Sequence, residues 1–311
     1  MLLSIIIVNY KTPDLLSQCI QSILQTIPMD WQFEIIVIDN NSNDNSKTLI
    51  TTQFHQVIWI QKPENDGFGR ANNAGILQSK GKYLLLLNSD MILQPNTLQI
   101  SLNHIQSHPN TGVLSCKILN QNLSPQKSTY FSNGKASFLL HRNLIIDYLF
   151  QLHKKHLPIK AVMGCFMLIP KEVLSKSGLF DPDFFMFSEE IDLCRRITKQ
   201  NYEISVLNEA TAIHLFGKST SNILWANKQR HLSNALLHLK YGGIPNYFLF
   251  HLYWHVNLIT NLFALWFLDK NYRKGFFSEQ KYYFSNLIYF MRIPFQYKSK
   301  PGNGKRLLRR S

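Results

Sequence analysis

Along the first hundred residues, short apolar runs alternate with stretches in which apolar side chains return every three or four positions. Ser4–Val8 is an apolar, β-branched run that predicts a first buried strand. Thr12-Pro13 then offers a helix cap followed by proline at the first helical position. Leu15, Leu16, Cys19, Ile20, Ile23 and Leu24 fall at helical spacing, which carries that helix to about Gln25. Glu34–Ile38 and Val57–Ile60 predict two more strands, with Asn43 or Asp44 capping the helix between them. A further helix to about Lys80 leads into Tyr83 and four leucines, Leu84–Leu87. That run is too short for a membrane span and reads as a strand covered on both faces, as in a parallel sheet. Strand and helix alternate throughout, the pattern of a doubly wound α/β sheet.

Beyond the leucine strand, Pro95–Ser107 predicts a helix and Gly112–Cys116 a strand. Residues 120–160 are polar and irregular, a loop-rich insertion suited to shaping an acceptor pocket. "AVMGCFMLI", Ala161–Ile169, reads as one strand and Lys171–Lys176 as a short helix. A helix from the acids Glu189, Glu190 and Asp192 runs to about Gln200. Tyr202–Leu207 and Ala210–Ile213 predict two short strands, and Leu224–Leu239 a helix. From Ile244 to Leu268 there is no Asp, Glu, Lys or Arg. That length would cross a bilayer. Asn246, His251, His255, Asn257, Thr260 and Asn261 interrupt it, however, and each is costly in hydrocarbon.

Charge sharpens this division. Of the formal net charge of +14, residues 241–311 carry 11 Lys/Arg against 2 acids, or +9, and residues 1–240 carry 22 against 17, or +5. Basic residues interleaved with Phe, Tyr and Leu fit a helical segment lying on an anionic membrane surface. A buried helical subdomain or a homo-oligomer contact is the alternative. Nucleic acid is disfavoured as a partner, because surfaces that track phosphates are more polar. Four widely spaced cysteines with no CxxC pair fit neither a zinc ribbon nor a disulfide framework, and suit a reducing compartment. The N-terminus has no basic n-region and no small-residue cleavage site, so the expected location is cytoplasmic, peripheral on the inner membrane face.

Candidate chemistry sits where the predicted strands end. Asn88, Ser89 and Asp90 close the leucine strand, and Asp39 closes the second. Ligands of open α/β sheets bind outside the carboxyl ends of strands, and a carboxylate there can hold a hard cation against phosphate. Asn, Ser and Asp also favour caps and turns. Similarly, Glu189, Glu190 and Asp192 suit a helix N-terminus, with Asp192 and Arg196 spaced to pair. A lone histidine such as His214 is more often structural or solvated than a ligand. A dinucleotide-binding fingerprint is absent: no glycine follows the first strand, and Gly67 and Gly69 come after the third.

Six ordered motifs, "SIIIVNYKT", "IIVIDNNSND", "ENDGFGRANNAGI", "LLLLNSD", "GLFDPDFFMFSEEIDLCRR" and "IHLFGKS", resemble those of glycosyltransferase family 2, especially its rhamnosyltransferase-like branch. The resemblance covers about residues 3–240. It implies a GT-A fold, Rossmann-like and nucleotide-sugar-binding, with a mixed, mostly parallel sheet flanked by helices. Residues 1–240 would form the catalytic domain, 1–115 being its nucleotide-sugar half and 116–240 its acceptor half. Residues 241–311 would be the membrane-associating segment.

By the same resemblance Asp39 accepts from the nucleotide base, and Asn65, Gly67 and Asn73 shape the donor cradle. Asn88 and Asp90 stand at the family's metal-and-diphosphate motif. Asp90 and His214 approach a divalent cation, Mg²⁺ or Mn²⁺. Glu189 and Glu190 take the place of the family's Glu-Asp pair, with Glu190 as general base. The implied reaction is inverting transfer of rhamnose or another hexose, with dTDP-rhamnose the favoured donor and a lipid-linked or cell-surface glycan the acceptor. Asn88 replaces an acid, Glu190 an Asp, and Asn201 a common glycine. These departures keep open a second class, a catalytically weakened nucleotide-binding scaffold at the membrane.

Overall fold

The computed structural model describes residues 1–131, 159–215 and 223–265, with 281, 284, 288 and 290–294. The later part of the expected insertion, the end of the "IHLFGKS" motif and most of the basic tail therefore lie outside the described residues. The chain divides into two compact units. The first comprises 1–130, 159–181 and 189–221; the second comprises 131–158, 182–188 and 222–311.

The first unit is built on a sheet of eight strands. Its first half is β1 (Leu3–Asn9), β2 (Phe33–Asp39), β3 (Val57–Gln61) and β4 (Tyr83–Asn88). These lie in the order β3-β2-β1-β4, all parallel. The helices between them are α1 (Pro13–Thr26), α2 (Ser46–Gln53) and α3 (Phe68–Gln78). Parallel neighbours require such crossovers, and the crossovers cover both sheet faces.

Side-chain alternation divides the core accordingly. Ile5, Ile7, Leu85 and Leu87 face Leu16, Cys19, Ile20 and Ile23 of α1. Ile6, Leu84 and Leu86 face the opposite way, with Ala71 and Ile76 of α3. The leucine run is buried from end to end because successive leucines serve different cores. Gly75 marks the tightest approach of helix to sheet: a Cβ there would lie 2.5 Å from Cγ2 of Ile6.

The second half of the sheet departs from a purely parallel pattern. After β5 (Met91–Leu93) and α4 (Thr97–Ser107) come β6 (Thr111–Leu119), β7 (Thr129–Phe131), β8 (Ile159–Val162) and β9 (Phe166–Pro170). Then follow α5 (Lys171–Ser177), α6 (Glu189–Thr198) and β10 (Glu203–His214). The full order is β3-β2-β1-β4-β9-β6-β10-β5, with β9 antiparallel to β4 and β5 antiparallel to β10.

Two sequence expectations are corrected here. "AVMGCFMLI" is not one strand: a turn at Met163–Cys165 separates β8, which pairs with β7 in a two-stranded sheet, from β9 in the main one. Conversely, Tyr202–Leu207 and Ala210–Ile213 form a single strand, β10, whose register against β6 shifts between Leu207 and Thr211. A bulge of this kind keeps the strand continuous where polar Asn208 and Glu209 suggested a break.

In the second unit α7 (Ile223–Leu265) runs past the expected end at Leu239 and breaks at Gly243, whose φ of 68° is a left-handed backbone, two residues before Pro245. Around it Tyr247, Phe250, His251 and Phe290 are buried, and Tyr247 Oη donates to the Phe290 carbonyl at 2.8 Å. No helix among the described residues is long and apolar enough to cross a membrane.

Candidate active site

Asn9, Asp39, Gln61 and Asn88 end the four parallel strands, and the register sets Asn9 beside Asp39 and Asp39 beside Gln61. A polar row thus forms along the carboxyl edge of the sheet. Asp39 is buried and accepts four hydrogen bonds, from Asn9 Nδ2, Ser42 N, Ser42 Oγ and Gln61 Nε2. Asn40 ties this row to the loop before α3. Its Nδ2 donates to the Gly67 carbonyl at 3.0 Å, and its Oδ1 accepts from Asp66 N at 3.1 Å. Asn65 Oδ1 accepts from Gly67 N, and Gly67 takes φ 81°, a left-handed conformation that favours glycine. Asn73 holds a different partner. Its amide pairs with both the N–H and the C=O of Phe180, at 3.0 and 2.8 Å, fixing the segment that approaches α6.

One strand further along, Asp90 follows β4 and is almost wholly buried. The antiparallel pairing of β10 with β5 carries His214 to it, and His214 Nε2 lies 3.2 Å from Asp90 Oδ1. That separation is close, yet among the described residues neither carboxylate oxygen of Asp90 receives a well-aligned hydrogen bond. Buried carboxylate oxygens left in this way are costly unless something positive meets them.

The other ring nitrogen, Nδ1, lies 3.2 Å from Gln126 Oε1. Both nitrogens therefore face acceptor oxygens. A neutral imidazole that donates through Nδ1 to Gln126 presents its Nε2 lone pair toward Asp90, the arrangement of a histidine ligand oriented from behind. The residues accordingly fit a divalent cation bound by one carboxylate and one imidazole. Such a cation commonly completes its shell with water and substrate phosphate. No cluster of three or more His, Cys, Asp or Glu suited to a metal occurs among the described residues.

The acid pair opens α6 with both side chains buried, Glu189 Cβ 3.7 Å from where a Cβ on Gly69 would lie. A Cβ on Gly164 would lie 3.8 Å from Glu190 Cβ, while the Cys165 carbonyl accepts from Asn88 N at 3.1 Å. This turn therefore touches both Glu190 and the strand end that precedes Asp90. Tyr130 Oη reaches Glu190 Oε1 at 3.4 Å. Burial, and next the charge of Glu190, push the Glu189 carboxyl well above the usual range. Burial, with the Asp90 charge second, pushes the Cys165 thiol up to about 12, so it is no nucleophile at neutral pH. Asp192 turns instead to Arg196 at 2.9 Å, and that guanidinium also donates to the carbonyls of Ser177 and Leu179.

Asn9, Asn40, Ser42, Gln61, Gln126 and Tyr130 were not singled out by sequence reasoning. Asn9 and Gln61 had a signal, being polar residues that close apolar strands. Gln126 had none, because it meets His214 across 88 positions of sequence.

A mostly parallel sheet flanked by helices, with antiparallel strands inserted, matches the GT-A fold. The mannosyltransferase PcManGT from Pyrobaculum calidifontis, solved with GDP-Man and Mn²⁺, superposes with a TM-score of 0.60 over 93% of this chain and 86% of its own, at 13% identity. Residues 4–178 match the family described as Glycosyl transferase family 2. The chain belongs to that family, and is by family a glycosyltransferase.

Among curated relatives, the low-salt glycan biosynthesis hexosyltransferase Agl10 of Haloferax volcanii is 27% identical over 217 residues, 68% of this chain and 66% of that protein. The chain thus spans just under two thirds of that relative. Rhamnosyltransferase WbbL of Escherichia coli K12 is 23% identical over 226 residues, 68% of this chain and 82% of that protein.

Proposed function

We propose that this protein is an inverting hexosyltransferase, with rhamnose the favoured sugar, moving it from a nucleoside-diphosphate donor to a lipid-linked or cell-surface glycan. The observation that supports the reading is the buried Asp90–His214 pair, together with the buried acid Glu190 beside the Gly164-Cys165 turn that Asn88 also touches. In this reading Asp39 accepts from the ring N–H of the donor's base. Asn88 and the Asn65–Asn73 loop and helix frame the phosphates and sugar. Asp90 and His214 hold Mg²⁺ or Mn²⁺. When bound, that cation supplies Lewis-acid stabilisation of the charge developing on the leaving diphosphate.

The chain's own residues supply the remainder. Glu190 takes the proton of the acceptor hydroxyl as the oxygen attacks the anomeric carbon from the face opposite the diphosphate. Glu189, whose burial favours the neutral acid, keeps a second negative charge out of the same small volume. One displacement inverts the anomeric centre without a covalent intermediate. The rhamnosyl preference rests on the family resemblance and on the WbbL similarity; the relative Agl10 is named for hexosyl transfer.

Residues 1–240 form the catalytic domain in this proposal, with donor binding in 1–115 and acceptor binding in 116–240. Residues 241–311 attach it to an anionic membrane surface from the cytoplasmic side. In support, Leu249, Leu252, Phe284, Ile288 and Met291 are exposed, as are the basic Lys281 and Arg292.

The decisive assay is release of nucleoside diphosphate from a panel of donors with Mn²⁺ or Mg²⁺. Asp90→Ala is expected to lower turnover by at least about a hundredfold. Glu190→Gln is expected to lose a similar factor while keeping donor affinity. Near-normal turnover by Asp90→Ala excludes the metal role. Donor binding without transfer by the wild-type chain supports the scaffold instead.

A further inference from the structure

Asp39 is crowded in a way that the proposed base contact does not explain. Its Oδ1 accepts from Asn9 Nδ2 at 2.7 Å and Ser42 Oγ at 2.5 Å, and its Oδ2 from Ser42 N at 2.9 Å and Gln61 Nε2 at 2.7 Å. An ionised carboxylate offers about four lone-pair sites, so four donors saturate it. A base N–H that is to reach this carboxylate has to replace one of them.

The four donors are unequal. Asn9 is wholly buried and Ser42 is 2% exposed. They also bond each other at 3.2 Å, and Thr12 Oγ1 anchors Asn9 Oδ1 at 2.9 Å. Removing either would open a buried polar network, a cost of the full desolvation kind. Gln61 is the exposed member, at the end of β3 on the outer edge of the sheet. Its Oε1 accepts from the half-exposed Trp59 Nε1 at 3.2 Å, and its Nε2 has a long second contact, 3.4 Å, with the Lys62 carbonyl. Water can replace all of these.

We propose that Gln61 is a displaceable amide: its N–H occupies, in the free protein, the place of the ring N–H of the donor's base, and the base expels it on binding. The displaced hydrogen bond is subtracted from the nucleotide's affinity, and Gln61 therefore sets how tightly the donor is held. A base with a ring N–H returns the lost bond to Asp39, whereas a base without one has nothing to give Oδ2 and leaves Gln61 in place. This inference rests on the reading of Asp39 as the base acceptor, and its test separates the two.

Calorimetric titration of the full chain with UDP, dTDP and GDP identifies the best-bound diphosphate, which is then compared with its analogue methylated at the ring nitrogen. Gln61→Met keeps the side-chain length and removes the donor. It is expected to bind the N–H nucleotide about fivefold more tightly, the factor for one net hydrogen bond, and to leave the methylated analogue unchanged. Trp59 loses its partner on displacement, so nucleotide should alter Trp59 emission in the wild type and not in Gln61→Met, with Trp59→Phe as the blank.

Unchanged or weaker binding of the N–H nucleotide by Gln61→Met overturns the proposal, as does equal tightening of both ligands. Asp39→Ala, with its fold checked by circular dichroism, tests the underlying reading separately: if the folded variant binds the N–H nucleotide as the wild type does, Asp39 is not the base acceptor at all. Weak binding by folded Asp39→Ala alongside an unaltered Gln61→Met would retain the base site and reject the displacement.

Discussion

In the proposed mechanism, Gln126 and Glu189 are single side chains that adjust the site without taking part in its bond changes. His214 Nδ1 lies 3.2 Å from Gln126 Oε1, so a ring that donates there turns its Nε2 lone pair toward Asp90. Gln126→Leu keeps a similar volume and removes that acceptor. It should weaken Mn²⁺ binding about tenfold, read from the free Mn²⁺ signal by electron paramagnetic resonance at saturating nucleotide, with donor KM little altered. An unchanged Mn²⁺ affinity would mean that His214 is oriented by other contacts.

Glu189 makes a prediction about pH. Its folded-state carboxyl titrates well above the unfolded value, chiefly through burial. The folded protein therefore holds a proton that the unfolded chain has released, and stability falls as pH rises from the ordinary carboxyl range through the raised value. Glu189→Gln should flatten that part of the urea-midpoint profile. A profile with the same slope in both proteins would assign the dependence to another group.

Among the elements, β1 and β4 bear much of the weight, because their strand ends carry Asn9 and Asn88 and precede Asp90, with α3 packed on the same sheet. Gly75 allows α3 to sit against Ile6, and a methyl group there meets Cγ2 at 2.5 Å. Gly75→Ala should cost about 1–3 kcal/mol in stability through overpacking, despite the better helix propensity of alanine. Ile6→Ala removes the obstructing methyl, so the double variant Ile6→Ala/Gly75→Ala should be less destabilised than the sum of the singles in denaturant titrations. Full additivity would show that the clash is absorbed elsewhere. The antiparallel strands act differently. β9 brings the Gly164-Cys165 turn to the edge where Asn88 ends, and β5 with β10 delivers His214. Had either run parallel, its opposite end would lie at the site.

For the whole molecule, the uneven charge gives a physical handle on where the chain works. Residues 241–311 hold +9 of the net +14. If that segment rests on anionic lipid, the full chain should sediment with vesicles containing phosphatidylserine or phosphatidylglycerol, and not with neutral ones. Binding should weaken as salt rises from about 0.05 to 0.5 M. Lys281→Glu/Arg292→Glu reverses two exposed charges and should reduce the bound fraction severalfold. Equal binding to neutral vesicles would assign the attachment to apolar contact alone.

The sequence by itself determined the α/β alternation, the buried leucine strand and the strand ends that carry Asp39 and Asp90. Those features are written in local periodicity, which depends only on which side chains must leave water. It also marked Glu189, Glu190 and His214, through motifs whose order resembles a family. It misjudged Ala161–Ile169 and Tyr202–Ile213, where a turn splits one apolar run and a bulge joins two. Hydrophobic pattern records burial and not the partner that a strand chooses. Only the tertiary structure decided that β9 enters the sheet antiparallel and that His214 meets Asp90 with Gln126 behind it. The same holds for the Asn9 and Gln61 amides that donate to Asp39. Such contacts join residues 22 to 124 positions apart, and no local spacing encodes them: they follow from strand order and register, which the packed sheet alone fixes.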